Sequence, residues 1–182
     1  MEKPIFKNRP NTEHKVEGGK TVWSSRSVAL DAIVFAIDKS HRRYVLIERR
    51  SDTMMDHPGE WCCPCGYLDW DENGWEAVTR ELYEETGFYV EHYKDDLIMA
   101  NRKQPFYVQT EPTSNRQNVA LAYCFVFRFD DIPRESWKKK VESYKNPEIA
   151  ELKWVLVETV PEYHLIFDHD ERIRMAMEKF GL

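Results

Sequence analysis

A basic excess is missing from this chain: 26 Lys and Arg stand against 32 Asp and Glu in 182 residues, for a formal net charge of −6. The absence of a broad basic footprint argues against a protein that coats a polyanion. It leaves room for a phosphorylated ligand held through a metal. Long apolar runs are missing too. The opening residues, MEKPIFKNRP, lack the apolar core of a signal peptide, and no later run approaches the length of a membrane span. A disulfide framework is also absent, since Cys62, Cys63 and Cys65 crowd together and Cys124 lies far away. A cytoplasmic protein with reduced thiols is expected. There is no internal repeat and no long linker.

What is present suits one folded domain. Hydrophobic residues make up 42% and aromatics 13%, too many for a disordered chain. Residues 1–22 are polar, with Pro4, Pro10, Gly18 and Gly19, and read as an N-terminal arm; residues 23–182 read as a single domain. Apolar runs at 27–37, 44–47, 118–129 and 152–157 predict strands. Residues 103–117 read as a polar, proline-containing loop. Residues 168–180 predict a closing helix with Ile173, Met177 and Phe180 on one face and Gly181 as its cap.

Residues 74–86 predict a second helix, stopped by Gly87. Trp75, Val78 and Leu82 form its apolar stripe. Glu81, Glu84 and Glu85, related by three and four positions, place carboxylates together near its C-terminal end. Like charges repel there, and the helix dipole disfavours anions at that end. A divalent cation would reverse both penalties, because hard cations take carboxylate oxygens. The alternative for such a cluster is a solvated acidic face.

The wider pattern decides between them. Gly66, Glu72, Arg80, Glu81, Leu82, Glu84, Glu85, Gly87 and Phe88 fill every defining position of the Nudix box, and the chain resembles that family over about residues 27–160. The flanks agree: YVLIERR at 44–50 leads through Pro58, Gly59 and Trp61 into the box, and Glu148 precedes a strand carrying Trp154. The resemblance implies an α/β/α sandwich around a mixed sheet. It also implies hydrolysis of a nucleoside diphosphate linked to another moiety, at the pyrophosphate, with Mg²⁺ or Mn²⁺. Metal ions polarise phosphoryl oxygens and lower the pKa of bound water. By resemblance Glu81, Glu84 and Glu85 are metal ligands together with the Cys65 carbonyl. Glu84, Glu85 or Glu148, with Glu111 behind them, then supplies the base, and Glu72 pairs with Arg80 to support the ligands. Two positions depart from the family pattern: Cys65 stands where a paired glycine is usual, and Asp71 where a glycine usually precedes Glu72.

Contacts to the rest of the substrate are less constrained. Arg50 and Arg26 are candidates for phosphate contacts, with Arg102 and Lys103 behind them, and Tyr67 and Trp61 for base stacking, beside Trp70, Phe106 and Tyr107. The partner is then a nucleotide or nucleotide-linked small molecule, with nucleic acid expected only as a capped RNA end. Many family members are dimers, which leaves a homodimer open. Two other readings carry weight. Cys65 before Gly66 resembles the catalytic cysteine of isopentenyl diphosphate isomerases, but Tyr67 stands where that family has a metal-binding histidine. A non-catalytic nucleotide-binding module would be expected to lose box glutamates, and none is lost. Zinc at Cys62 and Cys65 lacks a second ligand pair, and strand alternation would point the two thiols apart. The basic stretch from Trp137 to Lys140 reads as a solvated helix face.

Overall fold

The computed structural model describes residues 11–111, 117–130 and 147–182. The basic stretch at 137–140 and part of the 103–117 loop lie outside them. The polar arm contains a hairpin, β1 (Thr12–Lys15) and β2 (Thr21–Ser24), turned at Gly18 and Gly19 with positive φ.

The main sheet runs in the order β10 (Ile149–Leu156), β4 (Arg43–Arg50), β3 (Val28–Ile37), β9 (Val119–Arg128), β7 (Leu97–Ala100). The short strands β5 (Trp61–Cys62), β6 (Cys65–Tyr67) and β8 (Tyr107–Gln109) pair with β4, β3 and β9 respectively. β3 and β9 are parallel and the remaining pairs antiparallel, so the sheet is mixed. The strands at 27–37, 44–47, 118–129 and 152–157 appear close to their expected bounds. β7 and β8 carry too short an apolar signal to stand out, and β8 falls inside the expected loop.

Both faces of the central strands are buried, which is why their sequences are continuously apolar. Leu30, Ala32, Val34, Tyr44, Leu46, Phe125 and Phe127 pack beneath helix α1 (Gly74–Thr86) with Ala77, Val78 and Leu82. Ile33, Phe35, Val45, Ile47, Cys124 and Val126 face helix α2 (His169–Phe180) with Ile173 and Ala176. The result is the expected α/β/α sandwich. Both helices match their predicted spans within a residue. Asn73 caps α1 by accepting from the amides of Trp75 and Glu76, while the Glu76 carboxylate accepts from the Asn73 amide. Gly87 ends it at φ +69°.

A buried polar link ties α2 to β3. Asp31 accepts from the Arg172 guanidinium and lies 3.2 Å from His169 Nε2. His169 Nδ1 accepts from the Cys63 amide, so Nε2 carries the proton and donates to Asp31. Replacing Arg172 by Met should cost about 3–5 kcal/mol in urea denaturation, because the Asp31 carboxylate is left buried without its cation. Adding Asp31→Asn should recover much of that loss.

Candidate active site

The site follows from a split edge of β3. Residues 35–37 of β3 pair with β4, whereas residues 29–31 pair with β6. β4 leaves β3 and takes β5 as a partner at Glu48 and Arg49. On either side of β6 the Pro64 carbonyl and the Leu68 amide bond to β3. The intervening amides of Cys65 and Tyr67 are taken by helix α1: Cys65 N–H donates to Glu85 Oε2 at 2.8 Å, and Tyr67 N–H to Glu81 Oε1 at 3.2 Å.

Gly66 sits under this contact. A Cβ there would lie 2.1 Å from Glu81 Cδ, so this box glycine is required by close approach. Asp71 explains itself differently. Its φ is +66°, a left-handed conformation that glycine adopts freely and Asp tolerates, so the departure from the usual glycine keeps the turn. Cys65 lies in regular β-pairing opposite Asp31 and needs no glycine.

The three box glutamates do not share one environment. Glu81 and Glu85 reach β6, while Glu84 turns to Arg80 Nη1 at 3.0 Å and keeps half its side chain exposed. Arg80 also holds Glu72 in a two-point contact at 3.0 and 2.7 Å, Glu81 at 2.9 Å and the Tyr67 carbonyl at 3.0 Å. Glu72 accepts in addition from the Asp69 amide, and the Arg80 guanidinium holds its carboxyl below the ordinary range. The predicted Glu72–Arg80 pairing is therefore present.

A fourth carboxylate, Glu48 of β4, is fully buried in this cluster. Its Oε1 accepts from the Cys62 thiol at 3.6 Å, and its Oε2 has no hydrogen-bond partner among the described residues. Burial pushes Glu48 up to about 8, with Glu81 and Glu148 adding to the rise. Glu85 is raised by burial and by Glu48, and Glu81 by burial. Glu148, at the start of β10, is exposed at the same end of the sheet, where its Ile149 neighbour pairs with Arg50. A charged residue in an otherwise apolar strand, YVLIERR, was the available signal for Glu48.

These residues suit a hard divalent cation in chemistry. The donors are carboxylate oxygens, one of them buried and unpaired, and burial raises the pKa values of Glu48, Glu81 and Glu85. As the side chains stand, Arg80 takes up Glu81 and Glu84, and among the described residues no three His, Cys, Asp or Glu groups are gathered at chelating distance.

Across β6 from the carboxylates lies a cavity of about 330 Å³, lined by Arg50, Tyr67, Glu111 and Cys65 among others. Arg50 donates to the Asp56 carbonyl at 3.1 Å and packs over the Phe167 ring. Arg26 and Trp61 line no part of it. The Arg26 guanidinium is consumed by the carbonyls of Thr110, Gln117 and Asn118, and Trp61 packs edge-on to Tyr163 under Lys153. Arg102 packs on Trp75, Phe106 packs against Phe180, and Trp70 is exposed. Asp31, Arg172, Asp168 and Gln109 line the cavity without any sequence signal singling them out.

One expectation is corrected. The Cys62 and Cys65 thiols hydrogen-bond to one another instead of pointing apart. The chain bends at Pro64 between β5 and β6, so strand alternation does not run through it. The hydrogen bond with Cys62, and then burial, holds the Cys65 thiol well above its ordinary range. That disfavours a thiolate at this position.

Two outcomes follow. Gly66→Ala should displace Glu81 and weaken divalent-cation binding, read by isothermal titration with Mn²⁺. In chelator, stability should fall as pH rises between about 5 and 8. The unfolded chain loses the Glu48 proton near the ordinary carboxylate value, whereas the folded chain keeps it up to about 8. Glu85 is raised as well, so thermal melts of Glu48→Gln should show a shallower slope than the wild type.

The family model described as NUDIX domain matches residues 28–178. No curated protein sequence matches the chain. Solved structures share the fold. A Nudix hydrolase from M. smegmatis, RenU, is 21% identical with a TM-score of 0.62 over 94% of this chain and 97% of that one. A C. elegans Ap4A hydrolase binary complex is 15% identical with a TM-score of 0.60, covering 86% and 99%. The Nudix domain of Shewanella oneidensis NrtR, complexed with ADP ribose, is 20% identical with a TM-score of 0.59, covering 86% and 89%. With the model spanning most of its length and the box folded as loop, capped helix and loop around Arg80, the chain belongs to the Nudix family.

Proposed function

We propose that this protein is a Mg²⁺- or Mn²⁺-dependent pyrophosphohydrolase acting on a nucleoside diphosphate linked to another moiety. One juxtaposition carries the reading: β6 has the carboxylates of Glu81 and of the buried Glu85 and Glu48 on one side and a nucleotide-sized cavity with Arg50 on the other. A pyrophosphate crossing β6 would place its reacting phosphorus at the acids and its organic part in the cavity. One fold relative is complexed with ADP ribose and another is an Ap4A hydrolase, and both compounds are of this chemical class.

Glu81, Glu85 and Glu48 would hold the cation, with the Cys65 carbonyl as a further donor. When bound, the cation neutralises phosphoryl charge and lowers the pKa of water. The chain's own contribution is placement. Arg80 and Glu72 hold the loop 66–72 against α1, and the β6 amides fix the directions of Glu81 and Glu85. Glu84 and Glu148 are the more exposed carboxylates and therefore the better candidates to accept a proton from the attacking water. Arg50 would contact the phosphate nearest the cavity. The free thiols Cys62, Cys63, Cys65 and Cys124 support a reducing, cytoplasmic setting.

Glu85→Gln keeps an acceptor for the Cys65 amide and removes the charge. It should lower turnover of ADP ribose or Ap4A about 100-fold or more, with little change in melting temperature. Released nucleoside monophosphate is the readout. Wild-type turnover in both Glu85→Gln and Glu81→Gln would remove the acidic cluster from the mechanism.

A further inference from the structure

Cys62 ends β5 and Cys65 begins β6, and the two belong to opposite halves of the split edge: Cys62 pairs with Glu48 of β4, Cys65 with Asp31 of β3. The bend through Cys63 and Pro64 brings their thiols into hydrogen-bonding contact. Their surroundings differ. Cys62 is fully buried and donates to Glu48 Oε1, whereas Cys65 lines the cavity. Cys63 packs with Ile33, Val45 and Val126 in the core toward α2, and His169 holds its amide. One reachable thiol therefore has a single shielded thiol against it. Such a pair suits disulfide formation by a small oxidant, because only the first sulfur has to meet it.

Both members also touch the acidic cluster. The Cys65 amide fixes Glu85, and the Cys62 thiol donates to Glu48. A disulfide would draw the sulfurs from contact to bonding distance, remove the Cys62 donor from Glu48 and shift the Cys65 amide against Glu85.

We propose that Cys62 and Cys65 are a redox-sensitive pair: hydrogen peroxide joins them in a disulfide, which disorders the acidic cluster and weakens its hold on a divalent cation. The second half rests on the pyrophosphohydrolase reading; the disulfide itself does not. The Cys65 sulfur attacks one peroxide oxygen, the O–O bond breaks, and the released hydroxide takes the thiol proton as water. Sulfur is oxidised to a sulfenic acid and the peroxide is reduced. The Cys62 sulfur then attacks Cys65: the S–S bond forms, the S–O bond breaks, and the Cys62 proton leaves with hydroxide as a second water. A thiol reductant reverses the bond by exchange, as for the transient disulfides of reducing compartments. The hydrogen bond and burial that disfavour the Cys65 thiolate make the attack slow, so the pair answers sustained oxidation and ignores brief exposure.

Trypsin releases residues 51–80, with Cys62, Cys63 and Cys65, as one peptide, which gives the test its readout. After prolonged incubation of the full chain with hydrogen peroxide, alkylation in denaturant should find one free thiol in that peptide instead of three, and its mass should fall by two hydrogens. Cys63→Ala should still form the bond, whereas Cys62→Ser and Cys65→Ser should not. Isothermal titration of the oxidised wild type with Mn²⁺ should show about tenfold weaker binding, restored by dithiothreitol followed by desalting. Dithiothreitol leaves methionine sulfoxide in place, so the recovery assigns the change to the thiols. Three free thiols after peroxide, or a disulfide that needs Cys63, would overturn the pair. A disulfide with unchanged Mn²⁺ affinity would overturn its control of the cluster. If the reduced chain neither binds Mn²⁺ nor hydrolyses ADP ribose, the pyrophosphohydrolase reading fails and the control falls with it, while the peptide still decides the disulfide.

Discussion

Two amides on the free edge of β6 organise this molecule. A strand edge carries backbone donors that need partners. Here the Cys65 and Tyr67 amides find them in Glu85 and Glu81, one helical turn apart on α1. That pairing sets how closely α1 approaches β6, and the approach in turn leaves no room for a side chain at position 66. It also draws two carboxylates into a partly desolvated space beside Glu48. The glycine, the two glutamates and the split between β4 and β6 are consequences of one contact.

The charge distribution has the same origin. Residues 66–88 hold seven acids and Arg80, which accounts for all of the chain's net −6. Arg80 stands within reach of four of those carboxylates, those of Asp69, Glu72, Glu81 and Glu84, and so offsets only part of the repulsion. Burial prevents solvent from screening the remainder, as the raised Glu48 and Glu85 show. The chain's excess of negative charge is thus gathered at one place, around α1 and its lead-in, where a cation would offset it.

Legibility in the sequence tracked the distance over which a constraint acts. α1 was readable to the residue because its cap, its stripe and its stop are local. Glu72 and Arg80, eight positions apart, were readable because the box spacing encodes their contact. Glu48 was not, since only the packing of β4 beside α1 brings it to Glu85. Asp31 and His169 meet across 138 positions. Arg26 looked like a phosphate ligand by residue type alone, and its three carbonyl partners lie 84 to 92 positions away. The cysteine error was of another kind: alternation was applied across Pro64, where the chain bends.

The two sides of β6 are built from different parts of the chain. The box specifies Gly66, the α1 glutamates and Arg80, and with them the face toward α1. The cavity shares Gly66 and Tyr67 with the box, and its other walls come from β3, β8, β9 and the lead into α2, outside it. Structures at 15–21% identity keep the fold. The two sides meet at β6, whose amides face the acids while the side chains of Cys65 and Tyr67 face the cavity. A substitution in the Ala29–Ala120–Gln109 row of the sheet should therefore reshape the cavity without moving a carboxylate, because the backbone of β6 is held independently by β3 and by α1.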